Sequence, residues 1–162
     1  MPATVEVLGV DSRDAHEARL DAAGKLIANA SRWSVVASLI PVPYADLGAI
    51  GAIQTSLITN LASLYDQKLT KQAVGGLVSV LLGMLVPAAA SRVALGVGMK
   101  WIPGAGTAVG TITLAAFGSA ATYAIGKVFV RHFERGGTFK SFSAAEAQAD
   151  LKNEFAAASS KT

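Results

Sequence analysis

Polar and apolar positions divide this chain into two outer segments with charges at helical spacing and a long middle that is almost free of charge. In "SRDAHEARLDAAGKLIANASRWSVVASL" the residues Arg13, Asp14, Glu17, Asp21 and Lys25 mark a solvent face, whereas "WSVVASLIPVPYA" carries no charge at all. The pattern predicts a long helix that opens at Asp11 or Ser12, either of which can accept from the free N–H groups of a first turn, and that closes before Pro41. Pro41 and Pro43 remove two backbone donors and push Ile40 and Val42 toward extended backbone, so a sharp break is expected there. A second helix follows from Tyr44 to Asp46 onward. Along it Leu47, Ile50, Ile53, Leu57, Leu61 and Leu64 recur at three- and four-residue steps, with Gln54, Thr55, Asn60 and Ser63 on other faces, the mark of a core-facing helix.

Two uncharged runs come next. Ala73 to Ser91 is 19 residues long, about 28 Å as a helix and close to the thickness of a hydrocarbon core. Between Lys100 and Lys127 lie 26 residues without a formal charge. Pro103 and Gly104 break the chain between the two runs, which predicts an apolar hairpin over about 73–130. The terminal stretch "SFSAAEAQADLKNEFAAASSKT" opens with Ser143 and Glu146 in capping-box spacing and predicts a helix and tail over 143–162. "MPATVEVLGV", residues 1–10, reads as a flexible arm or a lone strand, too short to form a sheet. The expected fold is all-α: two helical hairpins within 11–142, with long apolar glycine-rich helices, flanked by amphipathic N- and C-terminal helices.

Composition sharpens the question of solvent. Of 162 residues, 52% are apolar and only 15% charged, below the roughly 25% usual for soluble domains, and the mean hydropathy is +0.45. The net charge of +3 is spread among acids without a basic stripe, which argues against nucleic acid. The absence of cysteine excludes disulfides and thiolate metal sites. The first residues have neither a basic nor a long apolar region of the secretory kind, so the expectation is an N-terminus in the cytoplasm.

The glycines are ordered. Gly106, Gly110, Gly118 and Gly126 fall on a four-residue grid completed by Leu114 and Thr122, and Gly75, Ser79, Gly83, Pro87 and Ser91 form a second grid. Each helical glycine costs about 0.5–1 kcal/mol relative to alanine, and close backbone approach between helices offsets that cost. Gly75, Gly83, Gly106, Gly110, Gly118 and Gly126 are therefore the expected helix-packing positions. "GAGTAVG" is no phosphate loop: its spacing is neither G-x-G-x-x-G after a strand nor G-x-x-x-x-G-K-[ST].

Pro41, Pro43, Asp46, Gln54 and Tyr65, followed by Pro103, Gly104 and Gly106, then Thr122, Tyr123 and Gly126, reproduce in order the motifs of the YcjF-like family, also called domain of unknown function 697, which the chain resembles over roughly residues 15 to 140. The resemblance implies an α-helical, membrane-associated module, in some members fused or adjacent to a P-loop GTPase. It implies no biochemical activity. Asp66 stands where the family's tyrosine is commonly followed by glycine, which bears on how the second helix ends.

Few side chains suggest chemistry. His16 and His132 sit among charges with no partner at ligand spacing, so neither a metal site nor a catalytic base is expected, and no cofactor. Asp46 is placed to cap a first turn, and Gln54 and Asn60 to bond between helices. Lys68, Lys71, Lys127, Arg131 and Arg135 flank the hairpin outside, against Arg92 and Lys100 within, a bias that puts both outer ends in the cytoplasm if the hairpin spans. Trp33 and Trp101 suit an interface. The expected function is a non-enzymatic module of the cytoplasmic membrane, with its termini cytoplasmic, that contacts lipid and either self-associates or docks a protein. The alternatives are a soluble cytoplasmic helical-bundle adaptor and, behind it, a carrier of an apolar ligand.

Overall fold

The structure, a computed structural model, describes residues 3–37, 45–87 and 105–160. It is all-α among those residues: α1 (Ala3–Ala37), α2 (Ala45–Leu64), α3 (Lys71–Leu85), α4 (Ala105–Glu134), a 3-10 turn at Phe139–Ser141, and α5 (Ala144–Ser159). Pro41, Pro43, Pro103 and Gly104 lie outside the described residues, and so do the breaks expected around them. Asp46, Gly106 and Gly110 fall within α2 and α4, but their side-chain surroundings lie outside what is described.

α1 starts at Ala3 rather than at Asp11 or Ser12, which places those two inside the helix and replaces the expected arm or strand with helical backbone. Between Ala3 and Ser12 the sequence offers no proline and a single glycine, so nothing interrupts propagation.

Helix ends follow local chemistry. α2 closes in a Schellman arrangement, with Gln67 N–H donating to Ala62 O at 2.7 Å and Asp66 N–H to Ser63 O at 3.2 Å. Asp66 takes φ 55°, the left-handed conformation that glycine adopts without strain and that aspartate tolerates. The exchange of glycine for aspartate therefore leaves the helix ending intact. α4 stops the same way, at Gly136 with φ 77°, where Gly137 N–H donates to His132 O. Ser143 caps α5 by accepting from Glu146 N–H at 3.3 Å, and Thr70 caps α3 by accepting from Ala73 N–H.

α4 is the centre of the bundle. Its residues Leu114, Phe117, Ala120, Ala121, Ala124, Ile125, Val128, Phe129 and Phe133 are buried against α1, α2 and α5. Ile27 of α1 lies against Gly126 and Ser34 against Gly118, so α1 runs antiparallel to α4; Ile50 lies against Gly118 and Leu57 against Gly126, so α2 runs parallel to it. α3 returns along α2 and packs on α2 and α5, touching α4 only slightly. α5 folds back along α4: Phe142 stacks on Phe129 with centroids 4.3 Å apart, Arg131 pairs with Asp150 and Glu154, and Phe155 meets Phe117 edge-on at 5.6 Å.

Gly75 and Gly83, expected as helix-packing positions, have no neighbour within 4 Å of their Cβ positions among the described residues. α3 buries its branched face, Val74, Val78, Leu81 and Leu85, and turns Gly76, Ser79 and Gly83 outward. Each buried Val or Leu contributes about 1.5–3 kcal/mol, more than a glycine contact returns, so the branched face takes the core. With 15 residues, α3 is about 22 Å long and shorter than a hydrocarbon core.

Candidate functional site

Ends of the helices come together by topology. The C-terminal ends of α1 and α3 and the N-terminal ends of α2 and α4 share one pole of the bundle; the α2–α3 turn and the C-terminal end of α4 share the other.

The second pole is charged and tied. Tyr65 Oη donates to Glu134 Oε1, His16 Nδ1 lies 3.4 Å from Glu134 Oε2, and the Arg19 guanidinium sits 5.6 Å from the centre of the Tyr65 ring. Burial, and then the hydrogen bond that the phenol donates to the Glu134 carboxylate, raise the Tyr65 pKa well above its usual value of 10.0. Tyr65 also packs on Phe133, with centroids 5.4 Å apart. Beside it His132 serves as structure: its ring fills the space over Gly137, where an added Cβ would come within 2.4 Å of Nε2, and it bonds Thr138 O at 2.9 Å. His132 is thereby committed to the fold, whereas His16 stays half exposed. Among the described residues no group of three or more His, Asp or Glu side chains is arranged to hold a metal ion.

Midway along the bundle three wholly buried polar side chains meet. Ser34 Oγ and Thr122 Oγ1 are 2.7 Å apart, Gln54 Nε2 donates to Thr122 Oγ1 at 3.2 Å, and Ser34 Oγ donates to Ala30 O. The node ties α1, α2 and α4 in one register, which is the role expected of Gln54 as a bond between helices. Gly118 and Gly126 sit one turn either side of Thr122. A Cβ on Gly118 would approach Ile50 Cδ1 to 2.8 Å, and one on Gly126 would approach Ile27 Cγ1 to 2.6 Å. Gly75 and Gly83 have nothing within 4 Å of the Cβ position. Tyr123 is half-buried against the core on the same helix.

The first pole is apolar and open. Among the described residues, six of the seven large apolar side chains that stand exposed, Trp33, Val35, Val36, Val80, Val86 and Ile112, lie in this half, with Trp33 at 56% and Ile112 at 70% exposure. The sequence signalled Trp33. It gave no sign of Ser34 or Glu134, whose partners are remote in the chain.

Among the described residues a single helix, Ile112–Glu134, is long and apolar enough to cross a membrane, and 61% of that window is buried inside the bundle.

The family profile described as "Domain of unknown function (DUF697)" matches residues 8–159, in line with the resemblance read from the motifs. Magnetosome membrane protein 22 of Magnetospirillum gryphiswaldense is 37% identical over 122 residues, which cover 75% of this chain and 63% of that protein. No solved structure matches the chain.

Proposed function

We propose, for a chain that belongs to the DUF697 family, a non-enzymatic, membrane-associated helical module that meets lipid with its apolar pole and presents its charged pole to the cytoplasm and to a protein partner. One observation carries the reading: exposed large apolar side chains gather in one half of the bundle, at the pole opposite the Tyr65–Glu134 cluster. The similarity to magnetosome membrane protein 22 supports it. So does the placement of Lys68, Lys71, Arg131 and Arg135 toward the charged pole, which fits a cytoplasmic orientation. The outward stripe Gly76, Ser79 and Gly83 of α3 offers a face for self-association, and a GTPase is one partner class that the family suggests for the charged pole.

Charges on α1 set the depth of insertion. Asp21 and Lys25, paired at 2.6 Å and both exposed, precede Ile27, which lies against Gly126, and exposed Arg32 precedes Ser34, which bonds Thr122. A bilayer enclosing α4 from Ala120 to Glu134 in this packing would enclose them as well, at about 2.5–3.5 kcal/mol or more for a charge near its centre. Lipid contact is thus confined to the pole beyond Arg32, and α4 reaches it end-on rather than crossing as a bare span.

Carbonate washing of membranes from cells producing the full chain tests this. The parent is expected in the washed membranes, and Trp33→Asp with Val36→Asp, both at exposed positions, is expected to lower retention several-fold with helicity unchanged. Recovery of the parent in the supernatant without detergent overturns the proposal. It would favour a second reading, a soluble bundle acting as an adaptor, which the burial of α4 supports.

A further inference from the structure

Near the middle of the bundle there is a height beyond which free charge stops. Ser34 bonds Thr122, so Arg32 and Trp33, both exposed, stand level with that residue on α1. Tyr123, half-buried, follows Thr122 on α4, and Lys127, also half-buried, lies one turn further toward the charged pole. On α5, Lys152 is exposed one turn before Phe155, which meets Phe117, and so lies within about a turn of the same height. From there to the apolar pole, the described side chains include one charged group, Glu154, half-buried and bonded to Arg131.

The cations at this height are uncommitted. Lys25 pairs with Asp21, and Arg131 with Asp150 and Glu154, but Arg32, Lys127 and Lys152 make no ion pair among the described residues. The acids nearest to them, Asp150 and Glu154, are both bonded to Arg131. Helical side chains lean toward the start of their own helix. α4 starts at the apolar pole, whereas α1 and α5 run the other way, so Lys127 inclines toward the height of Arg32 and Lys152, and they toward its. Three helices thus contribute positive charge to one belt, and two of them add an aromatic side chain with a polar edge.

We propose that this belt seats the bundle on an anionic phospholipid surface, with Arg32, Lys127 and Lys152 at the level of the phosphates. The inference rests on the membrane reading above and adds the class of lipid. Guanidinium and ammonium groups form charge-assisted bonds with phosphate oxygens, and tryptophan and tyrosine settle in the headgroup layer. Below the belt, the exposed Val35, Val36, Val86 and Ile112 meet the acyl region. A zwitterionic surface carries a cation for each phosphate, whereas an anionic one leaves a negative charge for each uncompensated lysine or arginine to meet.

The test floats the full chain, diluted from a mild detergent, with vesicles of phosphatidylcholine alone and with vesicles of equal parts phosphatidylcholine and phosphatidylglycerol. The parent is expected to partition at least about tenfold more strongly into the anionic vesicles, a preference that shrinks as salt is raised. Arg32→Gln with Lys152→Gln, both at exposed positions, is expected to lower that preference about fivefold or more and to leave partition into phosphatidylcholine within about twofold of the parent. Lys68→Gln with Lys71→Gln removes the same charge at the opposite pole and is expected to keep the preference. Equal partition of the parent into the two vesicle types overturns the inference and leaves the membrane reading in place. So does an equal loss in the two double variants, which makes net charge rather than the belt the cause. A parent that floats with neither vesicle overturns the membrane reading, and the belt falls with it.

Discussion

α3 and α4 read alike in sequence: each is free of charge over most of its length, and each sets small residues four apart. In the fold they part company. On α4 the stripe faces inward, where Gly118 and Gly126 admit Ile50 and Ile27 and Thr122 joins Ser34 and Gln54. On α3 the stripe faces outward, and Val74, Val78, Leu81 and Leu85 supply the contact with the bundle. A grid of glycines thus marks close approach only where larger side chains on a neighbouring helix require the space; where the same helix has a branched face, that face is buried first.

The contrast makes graded demands. Gly126→Leu is expected to be the most damaging, at about 3 kcal/mol, because the inner Cγ1 of Ile27 and the Leu57 Cδ2 both obstruct the new side chain. Thermal unfolding in detergent reads this as a lowered midpoint. Gly118→Leu should cost less, about 2 kcal/mol, since the nearest obstacle is the terminal Cδ1 of Ile50, which can rotate away. If either variant melts with the parent, the inward placement of the α4 stripe is wrong. Thr122→Val should cost about 1–3 kcal/mol by leaving Ser34 and Gln54 without a shared partner, and adding Gln54→Leu should return part of that loss.

The charged pole adds a dependence on pH through Tyr65. The folded state raises the Tyr65 pKa, so the phenol's contribution is fully present below its unfolded value near 10.0 and is lost as pH rises beyond it. Stability is therefore expected to be insensitive to this group below about pH 10 and to fall above it. Tyr65→Phe should remove that slope, measured by denaturant unfolding across the alkaline range. The smallest effect is expected on α3, where Gly83→Ala meets open space and should raise stability by about 0.5–1 kcal/mol. A loss there would show that the outward stripe is in fact covered.

Much of the architecture was legible because it is written locally. The leucine and isoleucine spacing of α2 and the serine cap of α5 depend on residues within one or two turns. Tertiary choice was not legible. Nothing near Ala73 says that α3 prefers α2 and α5 to α4, since periodicity identifies a buried face without naming what covers it. Ser34 reaches Thr122 across 88 positions, and Glu134 closes on Tyr65 across 69, distances over which spacing carries no information. The start of α1 was missed for another reason: weak alternation in "VEVLGV" suggested a strand, but a lone strand has no ladder to join, and the helix it adjoins extends through it.

α1 is a continuous 35-residue rod, about 52 Å from end to end, and its Ser12–Leu20 section is exposed at and beyond the charged pole, touching the bundle through His16 and Arg19. α5, by contrast, turns back and brings Phe155 level with Phe117. Ala3 and Ser160 consequently stand at unequal heights along the bundle axis. A domain joined ahead of Ala3 is carried on a mast at the far end from Trp33, whereas one joined after Ser160 sits low, close beside the half that bears the exposed apolar side chains.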